Sequence, residues 1–164
     1  MNRLIYFSAT QNTYNITKCL SDLLKVNNFS VANINEYVKF DKNDFTVFIC
    51  PIYNGNIVAS MKKFINSLDG AQSKAIMICT YGSVNAGKAL QNALVLLQKQ
   101  EFDTIGGVNI PMSHSYNGEY LTVGSFPNEV TIKKLADFIL QSNKDNFTYS
   151  VVRFFRLRKT LSAY

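Results

Sequence analysis

The stretch that decides the fold is Phe45-Thr46-Val47-Phe48-Ile49-Cys50, in which every side chain except that of Thr46 is apolar. A strand this apolar is typical of a parallel sheet that is covered on both faces. Residues 75–79, Ala-Ile-Met-Ile-Cys, form a second run of the same kind. Between the two runs, apolar residues recur at helical spacing over residues 61–68. Strand, helix and strand therefore alternate in the middle of the chain.

The same alternation extends outward to both ends of the chain. It predicts five strands and four or five helices, with strands at 3–7, 29–34, 45–50, 75–79 and 105–110 and the clearest helices at 12–24, 61–68, 86–100 and 128–141. Asn12 or Thr13 is the expected N-cap of the first helix. The pattern predicts an α/β fold, a three-layer doubly wound domain with a five-stranded parallel sheet. We expect this domain to span residues 1–142 and to be followed by a C-terminal tail, residues 143–164.

Length and composition fit a single cytoplasmic domain. The chain has 164 residues, of which 47% are hydrophobic and 17% are charged, which suits a packed core and not a disordered chain. No apolar run approaches the roughly 20 residues of a membrane-spanning helix, and no secretory signal is visible. The cysteines Cys19, Cys50 and Cys79 show no Cys-x-x-Cys spacing. This argues against zinc and iron–sulfur sites and favours buried thiols in a reducing cytoplasm.

The net charge of +6 is concentrated in the tail. Residues 143–164 contain five basic residues and one acidic residue, and aromatic and basic side chains are interleaved over residues 151–159. Three roles fit this pattern: docking to an acidic redox partner protein, contact with an anionic membrane surface, or packing on the domain with solvated arginines. No recognisable nucleic-acid motif is present, so we do not expect nucleic acid as a partner.

Three loops that follow predicted strands carry the polar and aromatic residues of a candidate site, because ligands of doubly wound folds bind at the carboxyl ends of the strands. The first loop is Ser8-Ala9-Thr10-Gln11-Asn12-Thr13. Directly before a helix, such a turn either holds a phosphate group or is an ordinary polar turn with a surplus of capping side chains. The other loops are Pro51-Ile52-Tyr53-Asn54-Gly55 and Thr80-Tyr81-Gly82-Ser83. Their two tyrosines either flank a flat aromatic ligand or pack on the domain.

Taken in this order, the three loops resemble those of the flavodoxin family. The first resembles the Ser/Thr-x-Thr-Gly-Asn-Thr phosphate loop with which that family binds flavin mononucleotide (FMN), and the other two resemble its flavin-ring loops. The resemblance covers residues 3–141. The sequence is most similar to the flavodoxin half of flavodoxin–ferredoxin fusion proteins, here without the ferredoxin half. It implies a flavodoxin-like strand order, 2-1-3-4-5, and FMN as the cofactor.

The resemblance also implies which residues bind the cofactor. By this resemblance, the residues that bind the phosphate are Ser8, Thr10, Gln11, Asn12 and Thr13. The flavin ring is flanked by Tyr53 and Tyr81, and it is lined by Pro51, Ile52, Asn54, Gly55, Thr80, Gly82 and Ser83. Gln11 stands where the family has glycine, so a positive φ at this position would strain the turn.

Three functions are compatible with these residues. The first is an FMN-binding electron-transfer protein that carries electrons between redox partners, which fits the absence of an evident acid–base constellation. The alternative is an FMN-dependent reductase of a quinone-like or other small acceptor, which a pocket lined by His114, Tyr116 or Tyr120 would favour. The third is a flavin-free interaction domain of the same fold.

Overall fold

The computed structural model describes residues 1–82, 86–112 and 127–144. Its strands are β1 (Asn2–Tyr6), β2 (Phe29–Asn33), β3 (Phe45–Tyr53), β4 (Asn56–Ile57), β5 (Lys74–Tyr81) and β6 (Asp103–Pro111). Its helices are α1 (Asn12–Leu24), α2 (Ala59–Asn66), α3 (Ala89–Lys99) and α4 (Glu129–Ser142), and a short 3-10 helix, Lys25–Asn27, follows α1. Every predicted strand and listed helix is present, with its ends shifted by at most three residues.

The five longer strands form one parallel sheet in the order β2-β1-β3-β5-β6. This confirms the predicted order 2-1-3-4-5, since the structure adds only the short strand β4 between the third and fourth predicted strands. The chain first moves outward from β1 to β2 and then returns to β3 on the other side of β1. Ligands of doubly wound sheets bind at such a reversal of strand order.

The strand β4 is absent from the prediction, which placed a loop after the third predicted strand, from Pro51 onward. In the structure, β3 continues to Tyr53 and pairs with β4 in an antiparallel hairpin. Asn54 and Gly55 at its turn have φ values of +51° and +71°. Positive φ at both central residues is the geometry of a type I′ turn, for which Asn-Gly is a preferred sequence. The Asn54-Gly55 dipeptide is the sequence signal for this hairpin. Pro51 argues against a strand at this position, because proline is rare inside strands.

Side chains of the sheet alternate between two cores on its opposite faces. In β3, Val47 and Ile49 belong to the core beneath α1 and α4, whereas Phe48 and Cys50 belong to the core beneath α2 and α3. All four are fully buried. Burial on both faces is the physical reason for the continuous apolar sequence of this strand.

The sequence predicts three buried thiols, and the structure confirms this for the two that lie in the sheet. Cys50 and Cys79 are register neighbours on β3 and β5, and Cys19 on α1 is half-buried. All three are free thiols. The hydrogen bond with Cys79, together with burial, raises the pKa of the Cys50 thiol well above its ordinary value. Cys50 is therefore a poor nucleophile.

Several predictions fall on residues that the structure does not describe. These are the candidate site residue Ser83, the loop 113–126 with His114, Tyr116 and Tyr120, and the tail from residue 145 onward. The roles assigned to them stay predictions. Within the described ranges, no helix combines the length and the apolar character that crossing a bilayer requires.

Asp44, the residue before β3, ties β1 to the rest of the sheet. Its carboxylate accepts hydrogen bonds from the Met1 ammonium group, from Arg3 Nη1 and from the Asp41 N–H group, the last at 3.0 Å. Burial alone would raise the pKa of Asp44. The three hydrogen bonds outweigh burial and hold this pKa below its ordinary value.

We expect Asp44→Asn to lower the free energy of unfolding at pH 7 by about 1 kcal/mol, because it removes the negative charge beside the mostly buried Arg3. Since the folded-state pKa of Asp44 is depressed, its contribution is complete above about pH 4 and disappears as the pH falls through the folded-state value. Urea unfolding at neutral and at acidic pH checks this. A difference between wild type and variant that does not shrink in acid would contradict it.

Candidate functional site

An open cleft lies at the carboxyl edge of the sheet, where the ends of β1, β3 and β5 meet. Its lining residues are Thr10, Asn12, Thr13, Pro51, Ile52, Tyr53, Thr80, Tyr81, Gly82 and Met112. All but Met112 belong to the site predicted from the sequence. The structure thus brings together residues of the three loops that the sequence predicts, because parallel strands place their carboxyl ends at one edge.

The first wall of the cleft is the turn that leads from β1 into α1. The Asn12 N–H group donates to the Thr10 carbonyl oxygen at 2.8 Å, and the Tyr14 N–H group donates to Ser8 Oγ at 3.1 Å. Gln11 lies at the centre of the tight turn with φ +65° and ψ −23°. It is the N-cap of α1 and makes no side-chain capping bond, so the expectation that Asn12 or Thr13 caps this helix is wrong. The chain reverses one residue earlier, and Asn12 is already helical.

Gln11 has a left-handed backbone conformation. The sequence analysis predicts that this conformation strains the turn, because the flavodoxin loop has glycine at this position. A side chain with a Cβ at such a φ is disfavoured relative to glycine. The strain lies directly beside two residues that line the cleft, Thr10 and Asn12. Strained backbone often accompanies a ligand site, where the surrounding structure holds it in place.

We expect Gln11→Gly to raise the free energy of unfolding by about 0.5–1 kcal/mol, because glycine adopts a positive φ without steric conflict. The gain is smaller than the strain itself, since glycine also loses more backbone entropy on folding. Urea unfolding of the FMN-free protein measures it. Gln11→Ala is the matched control, as alanine keeps the Cβ and should bring no gain. Equal stabilisation by both substitutions would show that the glutamine side chain, and not the backbone, is unfavourable.

A pair of buried threonines connects the first wall of the cleft to the third. Thr13 in the first turn of α1 and Thr80 near the end of β5 are 2% and 3% exposed, and their Oγ1 atoms lie 2.9 Å apart. The Thr17 hydroxyl donates to the Thr13 carbonyl oxygen and supports this turn of the helix. A hydroxyl carries one donor and two acceptor positions, so the pair retains hydrogen-bonding capacity beyond its mutual bond.

The second wall is the strand end and hairpin formed by β3 and β4. Pro51 and Ile52 are buried, whereas the Tyr53 side chain is 44% exposed at the mouth of the cleft. Asn54 and Gly55 lie at the tip of the hairpin and are not among the lining residues. A Cβ placed on Gly87 would lie 3.3 Å from Gly55 Cα, so the tip packs closely on the chain that leads into α3.

The third wall contains the one lining residue that the sequence did not predict. Thr80 and Tyr81 are the last two residues of β5, Gly82 follows them, and all three line the cleft. Met112 follows β6, and its N–H group donates to the Tyr81 carbonyl oxygen at 2.8 Å. Met112 is 2% exposed. Its position directly after a predicted strand at the same sheet edge was a usable signal.

Of the other predicted site residues that the structure describes, Ser8, Gln11, Asn54 and Gly55 do not line the cleft. Ser8 and Gln11 shape the first turn, and Asn54 and Gly55 shape the hairpin.

The lining side chains are uncharged, and the described residues contain no group of three side chains suited to hold a metal ion. Hydroxyl and amide groups lie at the start of a 13-residue helix, where the helix dipole favours an anion. Two tyrosines lie on the walls contributed by β3 and β5. This donor set fits a phosphate group attached to a flat aromatic ring system.

The fold and this cleft define the class: a flavodoxin-like FMN-binding domain with FMN as its cofactor. The chain belongs to the NADPH-dependent FMN reductase family, because the sequence model of that family matches residues 12–115. No curated protein sequence shows a significant match.

Solved structures with the same fold include both flavodoxins and a flavoenzyme. A flavodoxin of Streptococcus pneumoniae has a TM-score of 0.62 at 14% identity, over 85% of this chain and 94% of its own. The Fusobacterium nucleatum flavodoxin bound to flavin mononucleotide has a TM-score of 0.58 at 16% identity, over 85% and 95%. The NAD(P)H:(acceptor) oxidoreductase of Paracoccus denitrificans has a TM-score of 0.57 at 15% identity, over 87% and 94%.

Proposed function

We propose that this protein is an electron carrier that binds FMN in the cleft and passes electrons between redox proteins. The observation that supports the proposal best is the chemistry of the cleft walls. Among the residues that the structure describes, none of the ten that line the cleft is Asp, Glu, His, Lys or Arg. Transfer of electrons through a bound flavin requires no general acid or base from the protein, so walls without such groups suit a carrier.

The residues of the cleft divide into a phosphate end and a ring end. The turn before α1, with Thr10, Asn12 and Thr13, is proposed to bind the phosphate through hydroxyl, amide and backbone donors. Tyr53 and Tyr81 are proposed to flank the flavin ring. FMN supplies the redox chemistry, and the protein orients it and excludes water from the ring faces.

A reductase is the second candidate, and the family match favours it. The family is described as NADPH-dependent FMN reductase, and the Paracoccus neighbour is an NAD(P)H:(acceptor) oxidoreductase. In that function FMN, held by the residues of the cleft, would supply the chemistry of hydride transfer from a nicotinamide cofactor to a small acceptor such as a quinone. The buried Cys50 and Cys79 thiols support a reducing compartment, the cytoplasm, for either function.

The two candidates are distinguished with the full-length protein loaded with FMN. For a carrier, we expect stoichiometric FMN binding, slow NADPH oxidation with a soluble quinone, and rapid electron transfer from the photoreduced protein to an iron–sulfur or haem protein. Steady NADPH turnover with the quinone, together with slow transfer to both redox proteins, would favour the reductase. Failure to bind FMN at micromolar concentration would contradict both.

A further inference from the structure

The carboxylates of the described residues are concentrated at the edge of the sheet opposite to the cleft. The acidic residues that precede strands or end helices at this amino edge are Asp22, Asp41, Asp44, Asp69, Glu101 and Asp103. Asp137 lies within α4. At the carboxyl edge, Glu36 follows the edge strand β2, and Glu129 forms an ion pair with Lys133 at 2.6 Å. Neither belongs to the loops that build the cleft.

The segments that build the cleft carry basic charges only. Residues 7–18, 50–68 and 79–100 contain no Asp or Glu, and their charged residues are Lys18, Lys62, Lys63, Lys88 and Lys99. Lys99 ends α3 at the amino edge, whereas Lys88 immediately precedes α3 at the cleft edge and is exposed. Among the described residues, Lys88 therefore places a positive charge at the cleft edge, and the three segments contribute no carboxylate there. This asymmetry does not depend on the basic tail.

Lys88 lies beside the hairpin that forms one side of the cleft. The preceding residue, Gly87, packs on Gly55 at the hairpin tip, and Asn92 Nδ2 donates to Asn56 Oδ1 at 3.5 Å. Tyr53, at the base of the same hairpin, lines the cleft and is 44% exposed. An exposed aromatic ring, amide groups and a lysine thus adjoin the cleft. We refer to residues 53–56 with Lys88 as the hairpin surface.

We infer that the hairpin surface docks an acidic redox protein that exchanges electrons with the cofactor in the cleft. This inference rests on the proposed carrier function and specifies its partner. In each encounter one electron passes from the reduced FMN to the partner's iron centre, so that the flavin is oxidised as the iron is reduced. An acidic partner is favoured because Lys88 attracts it and no carboxylate of residues 7–18, 50–68 and 79–100 repels it.

The test is the rate of electron transfer from the photoreduced, FMN-loaded, full-length protein to two probes of opposite charge. The acidic probe is a plant-type [2Fe–2S] ferredoxin, and the basic probe is mitochondrial cytochrome c. We expect the second-order rate constant with ferredoxin to fall at least about 5-fold between low and physiological salt. Lys88→Glu should lower that rate constant at low salt by about 3- to 10-fold.

Lys99→Glu is the matched control, because it makes the same charge change at the other end of α3. It should alter the ferredoxin rate by less than about 2-fold, and both variants should retain wild-type FMN affinity. A rate with ferredoxin that rises with salt, or equal effects of Lys88→Glu and Lys99→Glu, would overturn the inference while leaving the carrier function intact. Loss of electron transfer to both probes with FMN still bound would instead overturn the carrier function.

Discussion

Gly107→Ala is expected to lower the free energy of unfolding by about 3 kcal/mol, although it adds a single methyl group. A Cβ at this position would lie 2.5 Å from the Met77 carbonyl oxygen and 2.7 Å from Leu90 Cδ1. The Leu90 side chain can move aside, but Met77 is the register partner of Gly107 on β5. Relief of the conflict with the Met77 carbonyl oxygen therefore requires β5 and β6 to shift relative to each other. Urea unfolding of the FMN-free protein measures the loss.

Gly55→Ala is the control for a glycine that is required for a different reason. A Cβ at Gly55 would have no other atom within 4 Å, but the residue has φ +71°. We expect a loss of about 1 kcal/mol from backbone strain alone. If Gly107→Ala costs no more than Gly55→Ala, the close approach of the Met77 carbonyl oxygen is not the reason for Gly107. In a Leu90→Ala background most of the Gly107→Ala loss should persist, since the Met77 carbonyl remains.

Gly107 also shows how far the sequence predicts the fold. Apolar runs and helical spacing are local signals, and they were sufficient for the strands, the helices and their alternation. From sequence alone, Gly106 and Gly107 indicated only a weakened strand. In the structure β6 extends over Asp103–Pro111, and Gly107 makes room for Leu90 of α3. The local sequence does not distinguish a glycine that is required for packing between two elements from a glycine that only weakens a strand.

The candidate site, like the fold, could be predicted from the sequence only in part. Loops that follow the strands could be predicted to meet, because parallel strand ends share one edge. The contact between Thr13 and Thr80 could not be predicted, since the two residues are 67 positions apart and only the register of β1, β3 and β5 brings them together. The positions of Asn54 and Gly55 outside the cleft follow from the hairpin, which the sequence interpretation overlooked despite its Asn-Gly turn.

Thr13→Val is expected to weaken FMN binding by about 10- to 100-fold, which corresponds to about 1.5–3 kcal/mol. Valine preserves the shape and the burial of Thr13 but removes the hydroxyl at the phosphate end of the cleft. Hydrogen bonds to a charged group contribute more than neutral ones, and a phosphate is dianionic or nearly so. The substitution also deprives Thr80 Oγ1 of its partner at 2.9 Å. Quenching of FMN fluorescence on titration with protein gives the dissociation constant.

Thr46→Val is the matched control, because Thr46 is also a fully buried threonine. Its Oγ1 has no hydrogen-bond partner among the described residues, and it lies near the amino end of β3, away from the cleft. We expect unchanged FMN affinity and a free energy of unfolding that is equal or higher by up to about 1 kcal/mol, since an unsatisfied hydroxyl is removed. If Thr13→Val destabilises the FMN-free protein but binds FMN like the wild type, the Thr13 hydroxyl serves the fold and not the phosphate.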